Sequence, residues 1–146
     1  MDIKIKKLTG TSKLPQRQTI GSAGADLHAD ITEPIIILPH KTVKIPSGLA
    51  IELPDENYVA LIYPRSGLST KHGIALANKV AVIDSDYRGE MQIPLHNHSD
   101  EAFVIQPNER VAQLVIMPVI PVNYVESYEL TDTERGMGGF GSTGVK

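Results

Sequence analysis

The chain has 146 residues, 41% hydrophobic and 21% charged, with a net charge of −3 and no cysteine. That length supports one domain with a real core. The composition excludes a disulfide framework, a thiolate nucleophile and the basic footprint of a duplex-binding protein. The N-terminus MDIKIKKLTG lacks the apolar core of a signal peptide. No apolar run reaches the roughly 18 residues of a membrane span. A cytoplasmic location is expected, with no membrane association and no direct binding to DNA.

Ten prolines and twelve glycines cut the chain into short pieces. Turn signals recur about every 8–12 residues, the pattern of an all-β sandwich or barrel. In SAGADLHA (22–29), Asp26 follows a glycine among apolar neighbours. There it can cap a turn or face a metal-bound water, since Mg²⁺ keeps waters and binds through few carboxylates. LAIEL (49–53) alternates as a half-buried strand does, and YVALIY (58–63) is rich in strand formers. PRSGLSTKHG (64–73) holds the one helical candidate, started by Ser66 and stopped by Gly73. With Arg65 beside its start, this is either an anion site or an ordinary capped helix.

VAVI (80–83) runs into the polar cluster IDSDYRGE (83–90), and MQIPLHN (91–97) alternates after it, with Met91, Ile93 and Leu95 on one face. This layout predicts a β-hairpin with a polar turn. Asp84 and Asp86 are either turn residues bonding their own backbone or carboxylates able to orient water and take its proton. His96 and His98 alternate and could hold a metal, but no third ligand is evident nearby, which favours an exposed face. FVI (103–105), VAQLVIMPVI (111–120) and VNYVESY (122–128) complete the predicted strands. Pro94 and Pro118 inside such runs predict edges or bulges. Arg110 and Gln113 are polar at the start of an apolar run, where buried backbone groups need partners.

The chain ends in RGMGGFGSTGVK. Gly136, Gly138 and Gly141 match G-x-G-x-x-G, but that fingerprint needs a strand before it and a helix after it. A P-loop would need a lysine where Ser142 stands. Termini fray, and glycine loses the most entropy on ordering. Yet glycine-rich backbone makes anion-binding nests, an arginine adds a forked cation, and a ring can stack on a base. Such a tail could order on a nucleotide.

In this order the segments AGADLHA, PRSGLSTKHGI, NKVAVIDSDYRGE, RVAQLVI and RGMGGFGSTG resemble the five motifs of the homotrimeric dUTPase family (deoxyuridine 5′-triphosphate nucleotidohydrolases). The resemblance runs from Ala23 to Gly144. It implies a jelly-roll-like β-sandwich with one short helix over residues 1–134, and a flexible glycine-rich arm over 135–146. It implies a homotrimer with active sites at subunit interfaces, each closed by an arm. The reaction implied is attack of water on the α-phosphorus of dUTP, giving dUMP and diphosphate. That keeps uracil out of DNA and supplies dUMP for dTMP synthesis.

The roles carry over by position. Asp84 matches the catalytic carboxylate, Tyr87 the ring under the deoxyribose, and Asn78 the side chain that reads the uracil edge. Arg65, Ser66 and Gln113 match phosphate contacts, and Gly67, Val82, Met91 and Gly141 further substrate contacts. Phe140 matches the ring that stacks on uracil, while Arg135, Ser142 and Thr143 match contacts at the γ-phosphate end. Mg²⁺ would ride on the triphosphate, with Asp26 holding its waters. Ala25 stands where the family usually has an aromatic, and Ala81 where it commonly has glycine. A dCTP deaminase resembles this family in fold, but the D-S-D-Y segment and the complete arm favour diphosphate hydrolysis. A non-catalytic nucleotide sensor would tolerate loss of Asp84.

Overall fold

The computed structural model describes residues 1–139. Along the chain run β1 (Lys4–Lys7), β2 (Ala25–His28), β3 (Ile35–Ile37), β4 (Thr42–Pro46), β5 (Leu49–Glu52) and β6 (Tyr58–Pro64). They are followed by α1 (Ser66–His72), β7 (Ile74–Leu76), β8 (Ala81–Ile83), β9 (Gln92–Asn97), β10 (Phe103–Ile105) and β11 (Arg110–Pro118). Among the described residues no helix is long and apolar enough to cross a membrane.

Four antiparallel sheets result. One has the order β2-β11-β6-β8 and another β4-β9-β7, while β1 pairs β5 and β3 pairs β10. The core is a single cluster drawn from these sheets, with Leu27, Ile45, Ile62, Leu76, Met91, Ile93, Leu95 and Ile105 fully buried. Each such side chain contributes about 1.5–3 kcal/mol over an exposed one. The expected Met91, Ile93 and Leu95 face points inward, as a period of two demands. Asn97 is the most deeply buried of the polar side chains that go in with them. Asn97 donates to the carbonyls of Ile37 (3.0 Å) and Glu101 (2.7 Å) and accepts from the Ser99 N–H and hydroxyl. Its amide is fully satisfied, so its burial is tolerated.

Several expectations are corrected. LAIEL is not half-buried: Leu49, Ala50 and Ile51 are all buried, because β1 lies along one edge and the core takes the rest. β8 and β9 form no hairpin. β8 pairs β6 in one sheet and β9 lies between β4 and β7 in another, so the polar segment after Ile83 passes from sheet to sheet. Pro94 sits in that central strand, not at an edge. Its carbonyl accepts the Ala77 N–H at 2.8 Å just past the end of β7. Its missing N–H therefore faces the point where the ladder stops. Pro118 does lie at an edge, for it pairs only Tyr58 of β6. VNYVESY is no strand. Residues 119–139 contain neither strand nor helix, and Tyr124, Val125 and Tyr128 are at least 83% exposed. Strand-forming residues cannot pair where no partner strand is within reach.

The helix is as expected at its end. Gly73 caps it at φ 67°, a left-handed conformation that suits glycine. At its start Ser66 is the first helical residue and Arg65 the extended cap. Gly48 also takes a positive φ (65°), and there it decides the residue. A Cβ there would run into the Asp30 carboxylate and the Ser12 side chain. Gly48→Ala is expected to lower stability by about 2–4 kcal/mol. Scanning fluorimetry measures it, and an unchanged Tm would show that the turn has room.

Candidate active site

Two clefts gather most of the sequence-predicted residues described here, and no residue lines both. The first, about 350 Å³, is lined by Gly24, Asp26, Arg65, Ser66, Gly67 and Gln113, with Gln18, Ser22 and Ala23. Three neighbouring strands build it. β11 lies between β2 and β6, and its register sets Gln113 opposite Asp26 on one side and Tyr63 on the other. A register shift between Arg110 and Ala112 breaks the ladder beside it, and such bulges re-aim side chains. Gln113 donates to the Pro64 carbonyl at 3.0 Å. Glycine at 24 leaves the Gln113 side chain its place, since a Cβ would push it from this position.

Asp26 is buried, and two guanidinium groups hold it. Arg65 Nε donates to one carboxylate oxygen at 3.1 Å and Arg110 NH1 to the other at 3.2 Å. Arg65 also donates to the Arg110 carbonyl at 3.0 Å. Two cations on one buried anion fix both guanidinium groups, and Arg65, held in this way, lines the cleft beside Ser66 and Gln113, an arrangement that suits an anionic ligand. His28 lies two residues along β2 with Nδ1 buried and unpartnered. Burial, then Lys13, hold its pKa below the ordinary 6.5, with Arg110 and Arg65 adding to this and Asp26 opposing it. At neutral pH the cations on Asp26 are therefore Arg65 and Arg110, not His28. Arg110 as a partner of Asp26 escapes sequence reading, since 84 residues separate the two.

The second cleft, about 260 Å³, is lined by Asn78, Val82, Asp84 and Tyr87, with Lys44, Ala81, Ile83, Glu90, Gln92 and Pro94. Asn78 lies in a tight turn after β7. Lys79 takes φ 66°, and its N–H reaches the Leu76 carbonyl at 3.0 Å. Val82 is 60% exposed on β8. Past β8 the Tyr87 N–H bonds the Asp84 carbonyl at 3.1 Å, closing a turn that leaves the Asp84 side chain exposed. The Tyr87 ring folds back over Gly89, where a Cβ would strike it, and its hydroxyl donates to the Glu90 carbonyl at 3.0 Å. Ala81 is buried opposite Ile62.

Met91 belongs to neither cleft, for its side chain is wholly buried in the core. Ala25 lines a separate, largely apolar hollow with Ile3, Ile5, Leu114 and Ile116. Arg135 is exposed and donates to the Gly138 carbonyl at 2.8 Å, away from both clefts. Phe140, Gly141, Ser142 and Thr143 lie outside the described residues. His96 and His98 stack edge to face at 4.4 Å, and among the described residues no three metal-ligating side chains converge.

The chain matches the dUTPase family model over residues 11–144. It is 49% identical to the deoxyuridine 5′-triphosphate nucleotidohydrolase of Burkholderia cenocepacia, over 99% of this chain and 97% of that relative. It is 48% identical to the Hahella chejuensis enzyme of the same name, over 97% and 93%. Among solved structures, the Staphylococcus bacteriophage 80alpha dUTPase with dUPNHPP aligns over 99% of each chain, with a TM-score of 0.89 at 27% identity. A dUTPase from phage phi11 of S. aureus, in which a structural Mg(II) ion is coordinated, aligns over 88% of this chain and 98% of its own. Its TM-score is 0.79 at 22% identity.

Proposed function

The chain belongs to the dUTPase family, and we propose that its two clefts are halves of one active site, joined across the subunit interfaces of a homotrimer. The enzyme hydrolyses dUTP to dUMP and diphosphate. The observation that carries the composite site is the separation itself. Asp84, Asn78 and Tyr87 line one cleft, and Arg65, Ser66 and Gln113 line the other, with no residue in common. One nucleoside triphosphate needs both.

In this reading Asp84 orients a water and accepts its proton as the oxygen attacks the α-phosphorus. The bond from that phosphorus to the bridging oxygen breaks, and diphosphate leaves. Asn78 reads the uracil edge beside Val82, and Tyr87 lies under the deoxyribose. Cytosine presents a donor where uracil presents an acceptor, and a fixed polar edge rejects it. From the neighbouring subunit Arg65, Ser66 and Gln113 hold the phosphates and balance charge that develops on diphosphate. Among the described residues a Cβ at Gly67 would meet nothing within 4 Å. Glycine there leaves room for close approach of the phosphates.

Residues 135–146 form the arm, with Phe140 stacking on uracil and Arg135, Gly141, Ser142 and Thr143 at the phosphate end. Mg²⁺ would polarise the phosphoryl oxygens when bound. Asp26 fits an indirect hold on it. Each carboxylate oxygen accepts one guanidinium N–H, which leaves lone pairs for metal-bound water. The two arginines disfavour direct contact with another cation. The cysteine-free composition suits a cytoplasmic enzyme.

Mixing two inactive proteins tests the composite site. Arg65→Gln and Asp84→Asn chains are unfolded and refolded together, then assayed on dUTP with Mg²⁺. Random trimers should regain about a quarter of the parent activity, from sites that draw Arg65 from one chain and Asp84 from another. Activity no higher than either variant alone would place the whole site within one chain.

A further inference from the structure

We propose that Glu90 is a positioning residue that fixes Tyr87 and thereby sets discrimination between deoxyribonucleotide and ribonucleotide. The inference rests on the reading of Tyr87 as the group under the sugar.

Glu90 joins the sugar-facing segment to the body of the protein. Its Oε1 accepts the Gly48 N–H at 2.7 Å, and its Oε2 accepts from the Gln92 side chain. Its main-chain carbonyl accepts the Tyr87 hydroxyl. One residue therefore ties the tip of the ring to the turn between β4 and β5.

That turn is a firm anchor. The Gly48 carbonyl accepts the Leu8 N–H at 2.8 Å, and the Asp30 carboxylate packs where a Cβ of Gly48 would lie. Asp30 in turn accepts from the hydroxyls of Thr9 (2.5 Å) and Thr11 (2.7 Å). By contrast, the bonds within residues 84–89 are local. Tyr87 N–H meets Asp84, and Arg88 caps the carbonyls of Ser85 and Tyr87 at 2.7 and 3.0 Å. They shape the turn but do not fix it to the body. The Met91 N–H, on the Leu49 carbonyl at 2.8 Å, anchors the main chain after it, and the Glu90 carboxylate is the side-chain tie nearest the ring. A ring that excludes a 2′-hydroxyl by contact must be held to a fraction of an ångström, because a shift of about 1 Å relieves such a clash.

The test compares kcat/KM on dUTP and UTP, each with Mg²⁺, for Glu90→Ala, Glu90→Gln and Glu90→Asp. Glu90→Ala should lower the dUTP-to-UTP ratio by about tenfold or more, chiefly through a lower KM for UTP. Glu90→Gln keeps an oxygen for the Gly48 N–H and should hold the ratio within about threefold. Glu90→Asp keeps the charge but draws back from Gly48, and should fall between them. It also serves if the alanine variant does not fold. In a Tyr87→Ala background, Glu90→Ala should change the ratio no further. If Glu90→Ala and Glu90→Asp slow both nucleotides equally, Glu90 only supports the fold and the proposal is overturned. If Tyr87→Ala alone leaves the ratio unchanged, the reading of Tyr87 has failed, and the proposal falls with it for that separate reason.

Discussion

Asp84→Asn is expected to lower kcat on dUTP by about 10²–10⁴-fold while binding of a non-hydrolysable dUTP analogue stays within about threefold. Asparagine keeps the shape and one oxygen but cannot take a proton from water. The fold should not register the change. Among the described residues no side chain or N–H bonds the Asp84 carboxylate, and the turn is closed through its main-chain carbonyl instead. Single-turnover kinetics and analogue titration measure the two quantities separately. Equal kcat in variant and parent would remove Asp84 from the chemistry. Equal loss of binding and turnover would make it a binding group.

Deleting residues 135–146 is expected to lower kcat by about a hundredfold or more while leaving the oligomer intact. The described body ends its last strand at Pro118. Of the deleted residues, the described ones (135–139) supply no strand to it, so assembly should not depend on them. In the proposed reading what is lost is closure: a ring at Phe140 to stack on the base, the cation Arg135 and the exclusion of bulk water. Light scattering gives the mass and a dUTP assay the rate. Monomers after deletion would make the arm a clamp between subunits as well as a lid.

Local signals in the sequence carried part of this structure. The β9 alternation and the Gly73 stop are one-dimensional patterns with one-dimensional causes, and both read true. Short strands were harder. β1 alternates only Ile5 against lysines, and β3 and β7 are three residues each. Such pieces are strands only because a partner lies beside them. VNYVESY is the converse case, with strand-forming residues and no partner in its own described chain. The segment after β8 has the polar turn of a hairpin, but strand pairing is a property of the sheets on either side of it. Asp84, Asn78 and Tyr87 sit within ten residues and were legible as a group. The pairing of Asp26 with Arg65 and Arg110 was not, because nothing local links β2 to the strands that close around it.

The sheet that carries those arginines has one further effect. Asp26 and Gln113 stand on adjoining strands, with Arg65 at the end of the next, and β11 in the middle is hydrogen-bonded on both sides. Asp84 and Tyr87 hang beyond an edge strand of three residues. Native proteins open piecewise, and the segments with fewest long-range bonds open at the lowest free energy. β2 is the opposite edge of that sheet, but Arg65 and Arg110 tie its Asp26 to β6 and β11, so in the proposed reading the phosphate-holding half should open at a higher free energy than the sugar-holding half. Mild heating or a weakening substitution should therefore make the enzyme indiscriminate before it makes it unable to hold phosphate. Fidelity, not affinity, is the property this architecture leaves closest to its limit.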